Sequence, residues 1–252
     1  MRTRVLAALS LALLLTVPPS AASFASETGP QFEQFHVIDQ VSVGRYPADV
    51  AAYGQGETAF VSMYANNVVL EVDTATGSVA RTLEAGVSPR SLVVNQAAGR
   101  LYVSAPGSDE LHVIDIASGT QRATRLQGAG EAVINEANGV VYAIGAGEVR
   151  ALDGESLETI TTVQLDGGHS LSYNEAKDIL YVTTADRRLI AFDGTSLSFI
   201  AWVYLPSTSY EVVADSVNGT VYLNDQQWPR LRVLDGDTLA VSKTLTLPAA
   251  PR

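Results

Sequence analysis

About forty residues separate successive copies of the same two landmarks in this chain. The first landmark is an aromatic followed by a small or branched apolar residue. It stands at Phe60-Val61, Tyr102-Val103, Tyr142-Ala143, Tyr181-Val182 and Tyr222-Leu223, with steps of 42, 40, 39 and 41 residues. The second is an Asp closing an apolar run, at Asp73, Asp115, Asp153, Asp193 and Asp235, with steps of 42, 38, 40 and 42. Two ladders of one period mean that one supersecondary unit is repeated five times. A unit this small cannot bury its own hydrophobic face, so neighbouring copies must stack.

The unit is made of strands. Val68–Val72, Leu111–Ile114 and Leu231–Leu234 are β-rich runs of strand length, partly alternating. Turn chemistry punctuates them. Asp73 and Asp115 are followed four residues later by Gly77 and Gly119, and in the last three repeats Gly follows at once, as Asp153-Gly154, Asp193-Gly194 and Asp235-Gly236. An Asp carboxylate accepts backbone N–H bonds two residues on, and Gly tolerates positive φ, so these five Asp residues are read as turn formers. A further turn, before each aromatic strand, carries Gly99, Gly139 and Gly219. In the second repeat the four expected strands run roughly Ser91–Asn95, Leu101–Ser104, Glu110–Asp115 and Gln121–Gln127. Four short antiparallel strands per forty residues, repeated radially, describe an all-β fold: a β-propeller of about five four-stranded blades. A helical solenoid fails because no segment has 3.6-residue spacing.

The residues also resemble the YVTN-repeat propellers. Leu101-Tyr102-Val103-Ser104 with Leu111–Asp115 and Ser118-Gly119 looks like that family's repeat, and Tyr181-Val182-Thr183-Thr184 is one residue from its namesake tetrapeptide. Gly44-Arg45-Tyr46-Pro47 and Gly86-Val87-Ser88-Pro89 match its Gly-x-x-Pro turn before the innermost strand. In the last three repeats Ala129, Gly168 and Ser209 replace that proline. The resemblance implies the fold and export, in a family that includes periplasmic and surface-layer proteins; it implies almost nothing about activity.

The N-terminus reads as a secretory signal: Arg2 and Arg4, an apolar run from Val5 to Val17, Pro18-Pro19, and small residues around Phe24 that place cleavage after Ala25. The expected organisation is 1–25 signal peptide, 26–44 an N-terminal extension with one extra strand, and 45–248 the five-repeat domain. The destination is the periplasm or the exterior, with no membrane span after cleavage. Removing Arg2 and Arg4 leaves 16 − 2 = 14 basic against 27 acidic residues, a net charge of −13. Such a surface repels phosphate backbones, so no nucleic-acid partner is expected. The chain has no Cys, which excludes disulfides, lipoprotein anchoring and thiolate metal sites.

The extra strand, about Phe35 to Val43, resembles the fourth strand of a blade. A closed five-bladed ring is the expected arrangement, because open sheet edges invite association. The strand would then latch onto the final blade; the alternative is an incomplete ring finished by oligomerisation.

Function is sought where the repeats disagree, at the loops entering the innermost strands. One ring of matching positions is Asp49, Ser91, Glu131, Ser170 and Glu211; its neighbour ring is Ala48, Arg90, Gly130, His169 and Tyr210. Asp49, Glu131 and Glu211 are expected to converge near the channel mouth with Arg90, His169 and Tyr210. Crowded carboxylates raise one another's pKa or attract a hard cation such as calcium, and His169 would widen the choice of metal. Beyond such a divalent cation no cofactor is expected, and the opposing reading is that these loop entries are merely solvated and polar.

Catalytic patterns are weak. His36, His112 and His169 stand at unmatched positions, so no zinc-triad spacing exists. No Gly-x-Ser-x-Gly elbow accompanies His169-Ser170, and the Gly128 and Gly145 segments do not open helices. Trp228-Pro229 in the last blade is either a partner contact or a cap on the core. The expectation is therefore a noncatalytic binding or scaffolding propeller for a protein or small-molecule ligand. The alternatives are a periplasmic lyase or hydrolase, or an accessory subunit of a periplasmic dehydrogenase.

Overall fold

In the computed structural model residues 40–209 and 211–247 are described, and twenty strands lie among them. They form five four-stranded sheets, each a simple antiparallel meander. Blade 1 is β1 (Pro47–Tyr53), β2 (Thr58–Met63), β3 (Val68–Asp73) and β4 (Ser78–Glu84). Blade 2 is β5 (Ser91–Asn95), β6 (Arg100–Ala105), β7 (Glu110–Asp115) and β8 (Gln121–Arg125). Blade 3 is β9 (Ala132–Asn135), β10 (Val140–Gly145), β11 (Glu148–Asp153) and β12 (Thr159–Gln164). Blade 4 is β13 (Gly168–Asn174), β14 (Ile179–Thr184), β15 (Arg188–Asp193) and β16 (Phe199–Tyr204). Blade 5 is β17 (Val212–Asp215), β18 (Thr220–Asn224), β19 (Arg230–Asp235) and β20 (Val241–Thr246). The first strand of each blade is innermost, and β1, β5, β9, β13 and β17 lie against one another in that order. The fold is the expected β-propeller of five blades.

The Asp ladder is turn chemistry, as expected. Asp73 Oδ1 accepts the N–H groups of Ala75 and Thr76 at 2.9 and 2.8 Å, and Asp115 accepts that of Ser118 at 2.8 Å. Asp153, Asp193 and Asp235 accept from Ser156, Ser196 and Thr238 at 2.7, 2.8 and 2.9 Å. The glycines following the last three Asp residues need a different reason from the one read in the sequence. Positive φ falls four residues after each Asp, on Gly77 and Gly119 and then on Leu157, Leu197 and Leu239 at 60°, 53° and 56°. These leucines accept a disfavoured backbone region and are buried between blades in return. Gly154, Gly194 and Gly236 are small because a neighbour crowds them. A Cβ at Gly154 would collide with the carbonyl oxygen of Gly139 and the hydroxyl of Tyr102.

At Gly154 and Gly236 the crowding comes partly from the preceding blade, whereas at Gly194 it comes from Asp178 and Tyr173 of the same blade. Tyr102, Tyr142 and Tyr181 are fully buried, and each hydroxyl donates to a carbonyl in the next blade: Gly154 at 2.9 Å, Gly194 at 2.8 Å and Gly236 at 2.9 Å. The second strand of a blade thus speaks to both neighbours, because alternate side chains leave opposite faces. Leu101 and Val103, Val141 and Ala143, Leu180 and Val182, and Val221 and Leu223 pack against the preceding blade. Phe60, Tyr102, Tyr142 and Tyr181 pack against the following one. Burying such side chains is worth about 1.5–3 kcal/mol each, so the interfaces between blades are the core.

Among the described residues there are four such interfaces, one between each consecutive pair of blades. A fifth interface, which would close the expected ring, is not among these four. Among the described residues no apolar cluster joins blade 5 to blade 1, although the Glu211 charge at the entry to β17 acts on Asp49 of β1. The burial pattern agrees. In β6, β10 and β14 every residue after the first is buried. In β2, Ala59 and Val61 are only half-buried on the face toward a preceding blade, and in β18 Tyr222 and Asn224 are half-buried on the face toward a following one. Blade 5 has its four places filled by β17–β20. Of the residues read as an extra strand, 40–43 are not part of a strand, and 35–39 lie outside the described residues.

Candidate functional site

The loops that enter β1, β5, β9, β13 and β17 gather at one end of the blades, here called the entry face. Asp49 and Glu131 stand there near the start of an inner strand, and each reaches across to the next blade. Asp49 Oδ2 accepts the N–H of Leu92 at 2.8 Å, while Oδ1 accepts that of Val50 at 2.8 Å. Glu131 Oε2 accepts the N–H of Leu171 at 2.9 Å and the Ser170 hydroxyl also binds it. At the matching position of blade 4, Ser170 Oγ accepts the N–H of Val212 at 3.3 Å. The ring that varies in sequence therefore repeats in geometry. A side-chain oxygen at the start of one blade satisfies the first free N–H of the next.

Burial raises the pKa of the Asp49 carboxyl, against the pull of its N–H donors, and the Glu211 charge adds to the rise. Burial also pushes Glu131 up, to about 7, with the Ser170 and Leu171 bonds opposing and the charges of Glu211 and Asp49 adding. The three carboxylates thus share one electrostatic field, as their alignment across the repeats implied. Among the described residues, however, no group of three or more His, Asp or Glu side chains could hold a metal ion. In the second ring Arg90 and His169 are exposed. Tyr210 lies outside the described residues.

A buried ion pair on this face has no counterpart in the sequence reading. Arg232 Nη2 meets Asp225 Oδ2 at 2.6 Å, both side chains are buried, and Ser207 donates to Asp225 Oδ1 at 2.5 Å. The pair bridges β19 to the end of β18 beneath the loop into blade 5. Its sequence signal was an Asp directly after Tyr222-Leu223-Asn224, where the other repeats have Met63, Ala105, Gly145 and Thr184. The opposite face carries a cavity of about 270 Å³ between blades 2 and 3, lined by Arg100, Asp115, Gln121, Arg122 and Glu155. Its polar walls are the turns of the Asp ladder, and Arg100 pairs with Glu155 at 3.3 Å. Trp228 is exposed, with the Arg230 guanidinium 5.8 Å from its ring centre, so it does not cap the core.

No family model matches the chain, and neither does any curated protein. Among solved structures it is similar to the β-propeller domain of Cps50 (Swd1) from Myceliophteria thermophila. The TM-score is 0.72 at 16% identity, over 84% of this chain and 74% of that one. At that identity the likeness concerns the fold alone, and it agrees with the five sheets: the chain has the architecture of a β-propeller.

Proposed function

We propose that this is an exported, noncatalytic binding or scaffolding propeller that recognises a partner, a protein or a small molecule, at its entry face. One observation carries the reading. Asp49 and Glu131, the residues best suited to acid–base chemistry, are engaged in bonds that hold consecutive blades together. Arg90 and His169 beside them are exposed on the rigid rim. A surface of this kind presents charges and rings in fixed positions without an activated nucleophile, which suits recognition. The N-terminal signal pattern supports delivery to the periplasm or the exterior, and the repeat resembles the YVTN group, whose members are found there.

The test is capture from the producing cell's extracytoplasmic fraction, with the chain beginning at Ser26 as bait beside an Arg90→Glu/His169→Ala variant. The reading expects partners that the variant loses while its thermal stability is unchanged. Identical capture by both proteins would move recognition off the entry face. Turnover of ester, glycoside or lyase substrates that the variant abolishes would establish the enzyme alternative instead.

A further inference from the structure

The grooves between blades on the face of the Asp ladder are not filled alike. Between blades 1 and 2, Arg81 of β4 pairs with Glu71 at 2.6 Å and donates to the Ile116 carbonyl of blade 2. That carbonyl stands where the later blades have those of Gly154, Gly194 and Gly236, which receive tyrosine hydroxyls. Phe60, at the tyrosine position of blade 1, has no hydroxyl to give. Blade 2 keeps the basic residue without that duty. Arg122 of β8 stands opposite Val113 as Arg81 stands opposite Glu71, and Tyr102 already serves the Gly154 carbonyl. Among the described residues Arg122 makes no ion pair. Arg100 is also peculiar to blade 2, since Thr58, Val140, Ile179 and Thr220 take its place in the other blades.

We infer that the cavity between blades 2 and 3 binds a small zwitterion of the α-amino acid class, its carboxylate on Arg122 and its ammonium on Asp115 and Glu155. The lining calls for both charges at once. Two guanidiniums face two carboxylates, so the walls are neutral as a set, above the buried Val113. Glu155 meets Arg100 at 3.3 Å. The Ser118 hydroxyl and N–H, with the Arg100 charge, hold Asp115 below the usual carboxylate range, so it stays ionised. Arg122 has no partner to give up when an anion arrives. A simple anion would add to a net charge of −11, and a simple cation would leave Arg122 unused; a zwitterion adds no net charge. The cavity, about 270 Å³, is the volume of roughly nine water molecules, room for a ligand of about that many heavy atoms. Thr120 and Gln121 supply hydrogen-bonding partners for a polar side chain.

Chemical-shift titration of the isotope-labelled protein tests this with L-serine, beside acetate and methylammonium as its two halves. The inference expects saturable shifts at the Thr120 and Gln121 amides with L-serine, and affinity at least about tenfold weaker for either half. Arg122→Gln, a change at an exposed residue, should weaken L-serine binding at least about tenfold as well. The Arg90→Glu/His169→Ala variant should bind L-serine as the parent does, which separates this site from recognition at the entry face. Failure of L-serine to saturate the shifts by about 10 mM overturns the inference. So does equal affinity for acetate, which would make the cavity a plain anion site, or L-serine binding that Arg122→Gln leaves unchanged.

Discussion

Replacing Glu131 with Gln should make the protein more stable at alkaline pH and leave it almost unchanged at pH 5. Burial holds the Glu131 carboxyl near 7, against an ordinary value of 4.5, so the folded protein penalises the ionised form. The folded state therefore binds this proton more tightly than the unfolded chain does. The resulting stabilisation is fully present below 4.5, shrinks as pH rises and is lost once pH passes about 7. At about 1.4 kcal/mol per pH decade that interval amounts to roughly 3 kcal/mol, and partial exposure of the residue brings the expected effect to about 1–3 kcal/mol. Gln keeps an oxygen to accept the Leu171 N–H bond. Asp73, Asp115, Asp153, Asp193 and Asp235 do not interfere, because hydroxyl donors (leading at Asp115 and Asp193) and backbone N–H donors (leading at the other three) lower each pKa, so any loss of their contribution lies below pH 5. Scanning calorimetry at pH 5 and 8.5 reads the effect, with Tm moving about 2–4 °C per kcal/mol in a domain of this size. The variant should exceed the parent at pH 8.5 and match it at pH 5. Parallel pH profiles for the two proteins, or a variant less stable at pH 8.5, would refute the reasoning.

Two further substitutions address the interfaces between blades. Tyr181→Phe removes the 2.9 Å bond to the Gly236 carbonyl from a buried site and should cost about 1–2 kcal/mol in urea unfolding, whereas Tyr222→Phe should cost less than about 0.5 kcal/mol. Equal costs would mean that the trailing face of blade 5 is packed like an internal one. Arg232→Ala strands the buried Asp225 carboxylate and should cost about 3–5 kcal/mol, while the Asp225→Leu/Arg232→Met double variant should recover most of that. A double variant as unstable as the single one would show that the pair is needed for more than mutual neutralisation.

The repeat made the fold legible because each blade restates the same local instructions. The Asp residues form the turns their chemistry suggested, and the aromatic ladder marks the strand shared by two interfaces. The glycines after Asp153, Asp193 and Asp235 were harder, since a lone Gly cannot say whether it relieves backbone strain or admits a neighbour. Here Tyr102 and Tyr181 from the preceding blade crowd Gly154 and Gly236, and Asp178 with Tyr173 of the same blade crowds Gly194. Closure was not legible for a related reason. The sequence repeats the strands but does not encode the angle between blades, and the sparing of Ala59, Val61 and Tyr222 from full burial appears only in three dimensions. At the entry face the ring of positions was found by alignment, but its polar variation looked like a ligand site. Asp49, Glu131 and Ser170 prove to solve one backbone problem with three side chains. The Asp225–Arg232 pair was missed because seven residues and a turn separate partners that meet only across a hairpin.

The division of the entry face into blade-joining and outward-facing residues is tested most directly by urea unfolding of Asp49→Ala beside Arg90→Ala. Asp49 accepts bonds from Leu92 and Val50, so its loss should cost about 1–3 kcal/mol; exposed Arg90 should change stability by no more than about 0.5 kcal/mol. A neutral Asp49→Ala together with a destabilising Arg90→Ala would contradict the account, returning the carboxylates to the role of a ligand site.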